Sequence, residues 1–182
     1  THTVKLLGVV LAGGESRRFG SDKARALIDG MALAEHARAA LAPFVAEAEE
    51  SGSGGIADRP AAGLGPLGGI CGALHHARTR GYDAILTIGC DTPFVPIETL
   101  MALADARGAA FVADTPIIGR WPVALVEPLE RHLTHCEDRS MRCWCALIGA
   151  TPLDAPPIAN INRPADLAAL NPLDKARGRL RQ

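Results

Sequence analysis

The chain has 182 residues, with 19 Lys and Arg against 20 Asp and Glu and a formal charge of −1, and 48% of it is hydrophobic. That is one domain of ordinary size with enough apolar material for a full core, and its balanced charge argues against a general nucleic-acid-binding surface. No apolar run is long enough to span a bilayer, and an odd number of cysteines (five) without a secretory signal points to reduced thiols in the cytoplasm.

Val4 to Leu11 is a short apolar run with the length of a buried strand. It is followed by Ala12, Gly13, Gly14, Glu15, Ser16, Arg17, Arg18, Phe19, Gly20, Ser21, Asp22, Lys23 and Ala24. Glycines let a backbone turn tightly and bring its amides close to a ligand, and Arg18 and Lys23 add fixed charge. Such a loop is either a plain connection or a cradle for a polyphosphate. Its cations, on a chain with almost no net charge, favour the cradle. Neither a Walker A loop nor a GxGxxG fingerprint is present.

Leu27 and Ile28 read as a short extended stretch closed by a turn at Asp29-Gly30, and Met31 to Leu41 as a helix stopping before Pro43. Phe44 to Ala46 could begin a strand, but Glu47, Glu49 and Glu50 speak against it. Ser51 to Gly55, SGSGG, reads as a flexible loop. A helix is expected from Pro66, well placed at a first turn, to about Arg80. The glycines at 63, 65, 68, 69 and 72 permit either a ligand or a neighbouring backbone to come close. His75 and His76 read as exposed or core-edge helix residues.

Ala84 to Gly89 is a second buried strand, β-branched and apolar. Asp91 follows at its carboxyl end, where ligands bind in open α/β sheets. It either closes the turn before Pro93 or supplies a carboxylate to Mg²⁺. Pro96 to Arg107 reads as a helix with Gly108 as its stop. Ala109 to Ala113 and Trp121 to Val126 read as strands, Glu127 to Glu137 and Ser140 to Ile148 as helices, and Thr151 to Asp154 and Ile158 to Ile161 as short strands. Pro164 opens a last helix, for which Asn162 is a candidate cap. His132, His135, Cys136, Cys143 and Cys145 match no zinc spacing and read as ordinary helix residues and buried thiols.

Strands alternating with helices predict a single Rossmann-like α/β domain over residues 1–172, with an open, mostly parallel sheet and helices on both faces. Residues 173–182 form a basic tail. In that architecture the first loop and Asp91 share the carboxyl edge of the sheet.

Taken together, LAGGESRRFGSDKA, the GPLGG of residues 65–69, the CDTP of 90–93, the WPVAL of 121–125 and the NINRP of 160–164 resemble the molybdenum cofactor guanylyltransferase (MobA) family of nucleotidyltransferases, over nearly the whole chain. The resemblance implies transfer of GMP from GTP to the terminal phosphate of molybdopterin, with Mg²⁺ as cofactor and a recipient molybdoenzyme or its chaperone as a further partner. It implies that Leu11, Ala12, Gly13 and Gly14 hold the nucleotide, that Lys23 and Arg18 face its phosphates, and that Asp58 contacts it. It also implies that Asp91 is the metal ligand and that Asn160 and Asn162 lie on the pterin side. Related readings are a cytidylyltransferase of the same cofactor, a sugar-nucleotide pyrophosphorylase and a non-catalytic nucleotide- or cofactor-binding paralogue. One departure stands out: the segment FVAEAEESGSGG is acidic and lacks the Asn expected to help contact the base.

Overall fold

The structure is a computed structural model that describes residues 3–11, 27–28, 30–52, 54–161 and 165–166. Its centre is β1 (Leu6–Leu11), buried at every position. Parallel to it lie β4 (Glu47–Ser51) on one side and β5 (Ala84–Gly89) on the other. Beyond β5 come β7 (Thr115–Pro122), β6 (Ala110–Val112) and β8 (Thr151–Leu153), giving the order β4-β1-β5-β7-β6-β8. Only β7 runs against the others, so the sheet is mostly parallel, as expected. A hairpin of β2 (Leu27–Ile28) and β3 (Met31–Ala32) stands apart from it.

Helices cover both faces. On one, α2 (Pro66–Thr79), α4 (Val126–His135) and α5 (Met141–Leu147) bury Leu67, Ile70, Leu74, Leu129 and Trp144 against Leu7, Val9 and Trp121. On the other, α1 (Leu33–Leu41) and α3 (Ile97–Asp105) bury Ala37, Leu41, Leu100 and Leu103 against Val10, Leu86 and Ile88. The antiparallel β5–β7 seam is pinned by side chains: Trp121 Nε1 donates to Thr87 Oγ1 at 2.9 Å, and Thr87 Oγ1 donates to the Ile117 carbonyl at 2.6 Å.

Three sequence expectations need correction. The acidic segment at 47–51 is a strand after all. Alternation along a strand directs Glu47 and Glu49 toward α2, where Arg80 forms ion pairs with both and His76 meets Glu49 at 3.1 Å. Glu50 points the other way and pairs with Arg38 of α1 at 3.7 Å. Edge strands carry charge readily, and here each carboxylate has a cation on a flanking helix. Second, the strand expected at Trp121–Val126 ends at Pro122, the last residue paired with β5. A 3-10 turn over Val123–Leu125 then leads into α4, so the same apolar run becomes a helix start. Third, Ile158–Ile161 forms no strand. It runs beside the sheet's edge, tied by the Ile161 N–H to the Asp91 carbonyl at 2.7 Å. Smaller shifts are ordinary end effects: Met31-Ala32 pairs in the hairpin before α1 begins, and α3 stops at Asp105. The expected tail lies outside the described residues.

Candidate active site at the carboxyl edge of the sheet

Strands β4, β1 and β5 are neighbours and parallel, so their carboxyl ends form one edge. The register sets Ser51, Leu11 and Gly89 side by side there, a row roughly 10 Å across given the usual strand spacing. The connection leaving β1 leads through α1 to β4 on one side, while the one leaving β5 leads through α3 toward β6 on the other. The strand order therefore reverses between β1 and β5, the position where open α/β sheets bind ligands.

On the β5 side, Gly89 ends the strand and Thr92 closes the turn, its buried hydroxyl bonding Gly89 at 3.3 Å. Asp91 is thereby set at the strand's carboxyl end. Its carboxylate lies over Gly89 so closely that a Cβ there would stand 2.3 Å from Oδ1. The Cys90 N–H donates to the Leu11 carbonyl at 3.3 Å, joining this turn to the end of β1. The bond from Ile161 to Asp91 places Asn160, which is exposed, next to the Asp91 backbone.

On the β4 side, the chain folds back after Ser51: the Gly52 N–H donates to the Ile56 carbonyl and the Ile56 N–H donates to the Glu50 carbonyl, each at 2.9 Å. This return delivers Asp58 onto the first turn of α2. Gly65 caps that helix at φ 70°, a left-handed conformation suited to glycine, and Pro66 occupies its first turn. Three glycines let the return segment lie directly on the helix. A Cβ at Gly68 would meet Asp58 Oδ2 at 3.4 Å. One at Gly69 would meet Ser51 Oγ at 3.1 Å, Leu11 Cδ2 at 3.4 Å and Asp58 Oδ1 at 3.6 Å. One at Gly72 would overlap the Ala57 carbonyl. At Gly72 a neighbouring backbone comes close, while at Gly68 and Gly69 the close neighbours are side chains. Removal from water raises the Asp58 carboxyl above its ordinary value, with no opposing cation among the described residues.

Of the residues singled out from sequence, Leu11, Asp58, Asp91 and Asn160 thus share one edge. Ala12, Gly13, Gly14, Arg18, Lys23 and Asn162 lie outside the described residues. Sequence reasoning missed Ser51, buried at the end of β4, whose hydroxyl faces Gly69 alongside Leu11 and Asp58. A lone Ser in SGSGG carries no signal; recognising β4 as a strand would have placed it.

The model of the MobA-like NTP transferase domain matches residues 8–152. A molybdenum cofactor guanylyltransferase of Rhodobacter capsulatus is 34% identical over 195 residues, covering 98% of each chain. One of Cereibacter sphaeroides is 37% identical over 184 residues, covering 91% of this chain and 95% of the relative. Among solved structures, molybdopterin-guanine dinucleotide biosynthesis protein A from Archaeoglobus fulgidus superposes with a TM-score of 0.59 at 20% identity, covering 90% of this chain and 95% of that one. The 2-C-methyl-D-erythritol 4-phosphate cytidylyltransferase of Thermus thermophilus does so with 0.65 at 16%, covering 98% and 100%; both support the fold. The sequence matches span the strands, the glycine-rich first turn of α2 and the Asp91 turn together, and this chain belongs to the MobA-like NTP transferase family.

Proposed function

We propose that the protein transfers GMP from GTP to the terminal phosphate of molybdopterin. A phosphate oxygen of the pterin attacks the α-phosphorus of GTP, the bond from that phosphorus to the β-phosphate oxygen breaks, and pyrophosphate leaves. The attacking oxygen is already an anion, so the protein needs no strong general base. Its tasks are alignment and offsetting charge at the α-phosphate. The observation that carries this reading is the shared edge between β1 and β5, with Asp91 at its rim, in a chain whose curated relatives are named guanylyltransferases.

Asp91 suits Mg²⁺, which takes one or two carboxylates and completes its shell with phosphate oxygens and water. The side chain offers hard oxygen donors at the strand end, over a glycine that leaves room for them. When bound, the ion would offset phosphate charge. On this reading Lys23 and Arg18 hold the triphosphate, the Leu11–Gly14 backbone and Asp58 hold the nucleoside, and Asn160 and Asn162 face the pterin. Asp58 suits guanine in particular, because an ionised carboxylate accepts from two adjacent N–H donors, which guanine has on its pairing edge and cytosine lacks. None of the five cysteines is joined in a disulfide, which fits a reducing compartment, and no helix among the described residues is long and apolar enough to cross a membrane.

The direct test is to incubate the protein with Mg²⁺, GTP and molybdopterin and identify the product by mass. The dinucleotide with stoichiometric pyrophosphate is expected. Recovery of unreacted pterin would refute the reading. Cytidylyl transfer is the alternative favoured by the Asn-free end of β4, and CTP in place of GTP decides it.

A further inference from the structure

We infer that His36 is a positioning residue for Asp91; the inference rests on the transfer reaction proposed above. Next to the Asp91 turn lies a small apolar node separate from the two main cores, built from Ile28, Leu33 and Ile161 with Phe94 and Ala159 packed on it. Phe94 follows Asp91 by three residues, two beyond Thr92, which closes the Asp91 turn. Ile161 donates its N–H to the Asp91 carbonyl at 2.7 Å and is fully buried. Whatever fixes Phe94 and Ile161 therefore fixes the backbone that carries the carboxylate.

His36 is the polar side chain that closes this node. Its Nε2 lies 2.9 Å from the Ile28 carbonyl. A carbonyl only accepts, so Nε2 carries the proton. The other side of the ring packs against Phe94, with centroids 5.6 Å apart and the planes tilted by 59°, a favourable aromatic arrangement. One half-buried imidazole thus binds β2 by a hydrogen bond and, by ring contact, Phe94 in the segment that continues the Asp91 turn, while Ile28 and Ile161 share the node beneath. α1, which holds His36, is itself anchored by the buried Leu33, Ala37 and Leu41. The ring is a fixed strut from a rigid helix to the catalytic edge. It touches no reacting atom.

The test compares the full-length protein with His36→Leu and His36→Gln. Gln keeps a donor for the Ile28 carbonyl, whereas Leu keeps bulk alone. Three quantities are read: the thermal midpoint, the hydrogen-exchange rate of the Ile161 amide, and the kcat and KM for pyrophosphate release with GTP and molybdopterin. His36→Leu is expected to speed exchange at Ile161 and to lower kcat by about tenfold or more, as small misplacements of catalytic groups do. KM for GTP should change much less, and His36→Gln should recover most of the loss. Unchanged exchange or unchanged kcat in His36→Leu, beside an active wild type, overturns the inference. A loss of kcat that follows the thermal midpoint and that Gln fails to rescue also overturns it. Wild-type protein that releases no pyrophosphate overturns the proposed reaction first, and the role of His36 with it.

Discussion

A Cβ built on Gly72 would stand 2.0 Å from the carbonyl oxygen of Ala57. The second turn of α2 and the segment that delivers Asp58 are therefore in backbone contact, and only glycine fits between them. Gly72→Ala must push that segment away, and overpacking of this kind costs about 3 kcal/mol. The expected outcome is a lower thermal midpoint together with weaker GTP binding, because Asp58 moves with the backbone. Calorimetric titration of GTP checks the second part.

Gly89→Ala separates fold from chemistry. The added methyl would meet Asp91 Oδ1 at 2.3 Å and Ile117 Cδ1 at 2.8 Å. Both are ends of side chains that can turn aside, so the strand survives but the carboxylate does not keep its place. Turnover should fall strongly while the far-ultraviolet circular dichroism stays that of the wild type. Full activity in this variant would show that the position of Asp91 does not matter.

Asp58 links stability to pH. Removal from water raises its carboxyl above the ordinary 3.8. The folded state thus holds this proton more tightly than the unfolded state does. The stability so contributed is full below the ordinary value and is lost as pH rises through the raised one. At neutral pH the ionised carboxylate stands desolvated at a cost that bound nucleotide would offset. Asp58→Asn should therefore raise the thermal midpoint at pH 7, flatten its pH dependence above the ordinary carboxylate range, and weaken GTP binding. Melting curves across pH, with and without GTP, read all three.

The edge strand β4 gives a salt-dependent prediction. Arg80 bridges Glu47 and Glu49 on one strand face, and the neighbouring Glu49 carboxyl together with the Arg80 charge holds Glu47 below its ordinary carboxylate value. Arg80→Ala leaves two like charges adjacent. Its thermal midpoint should drop at low ionic strength, and the difference from wild type should shrink in about 1 M salt, where charges are screened within a few ångströms.

These residues also show where the sequence could be read and where it could not. β1 and β5 were legible because each is a run of six buried, mostly apolar residues, the pattern of a parallel strand covered on both faces, and α2 because Pro66 marks its first turn. β4 was not, since its glutamates look like a loop until the cations that neutralise them, Arg80 at the end of α2 and Arg38 on α1, are in place. β7 was hidden by Gly119 and by Arg120, a buried guanidinium that donates to the Gly108 carbonyl at 2.8 Å. A Cβ at Gly119 would strike the Trp121 ring at 2.5 Å, so the glycine that weakens the local strand signal is needed for the packing. The run from Trp121 onward was misread because periodicity alone cannot tell a short buried strand from the start of a helix. At the sheet edge, the position of Asp91 was legible from its place after a strand. Ser51 and His36 were not, because only the folded chain brings them to Asp58 and to the Asp91 turn.

The central claim is guanylyl transfer at the edge between β1 and β5. It is tested most directly by pyrophosphate release with Mg²⁺ and molybdopterin in the presence of GTP, CTP or ATP, for the wild type and for Asp91→Ala. Release with GTP well above that with CTP and ATP, abolished in a folded Asp91→Ala protein, is the predicted result. Faster release with CTP, or wild-type release from Asp91→Ala, would contradict it.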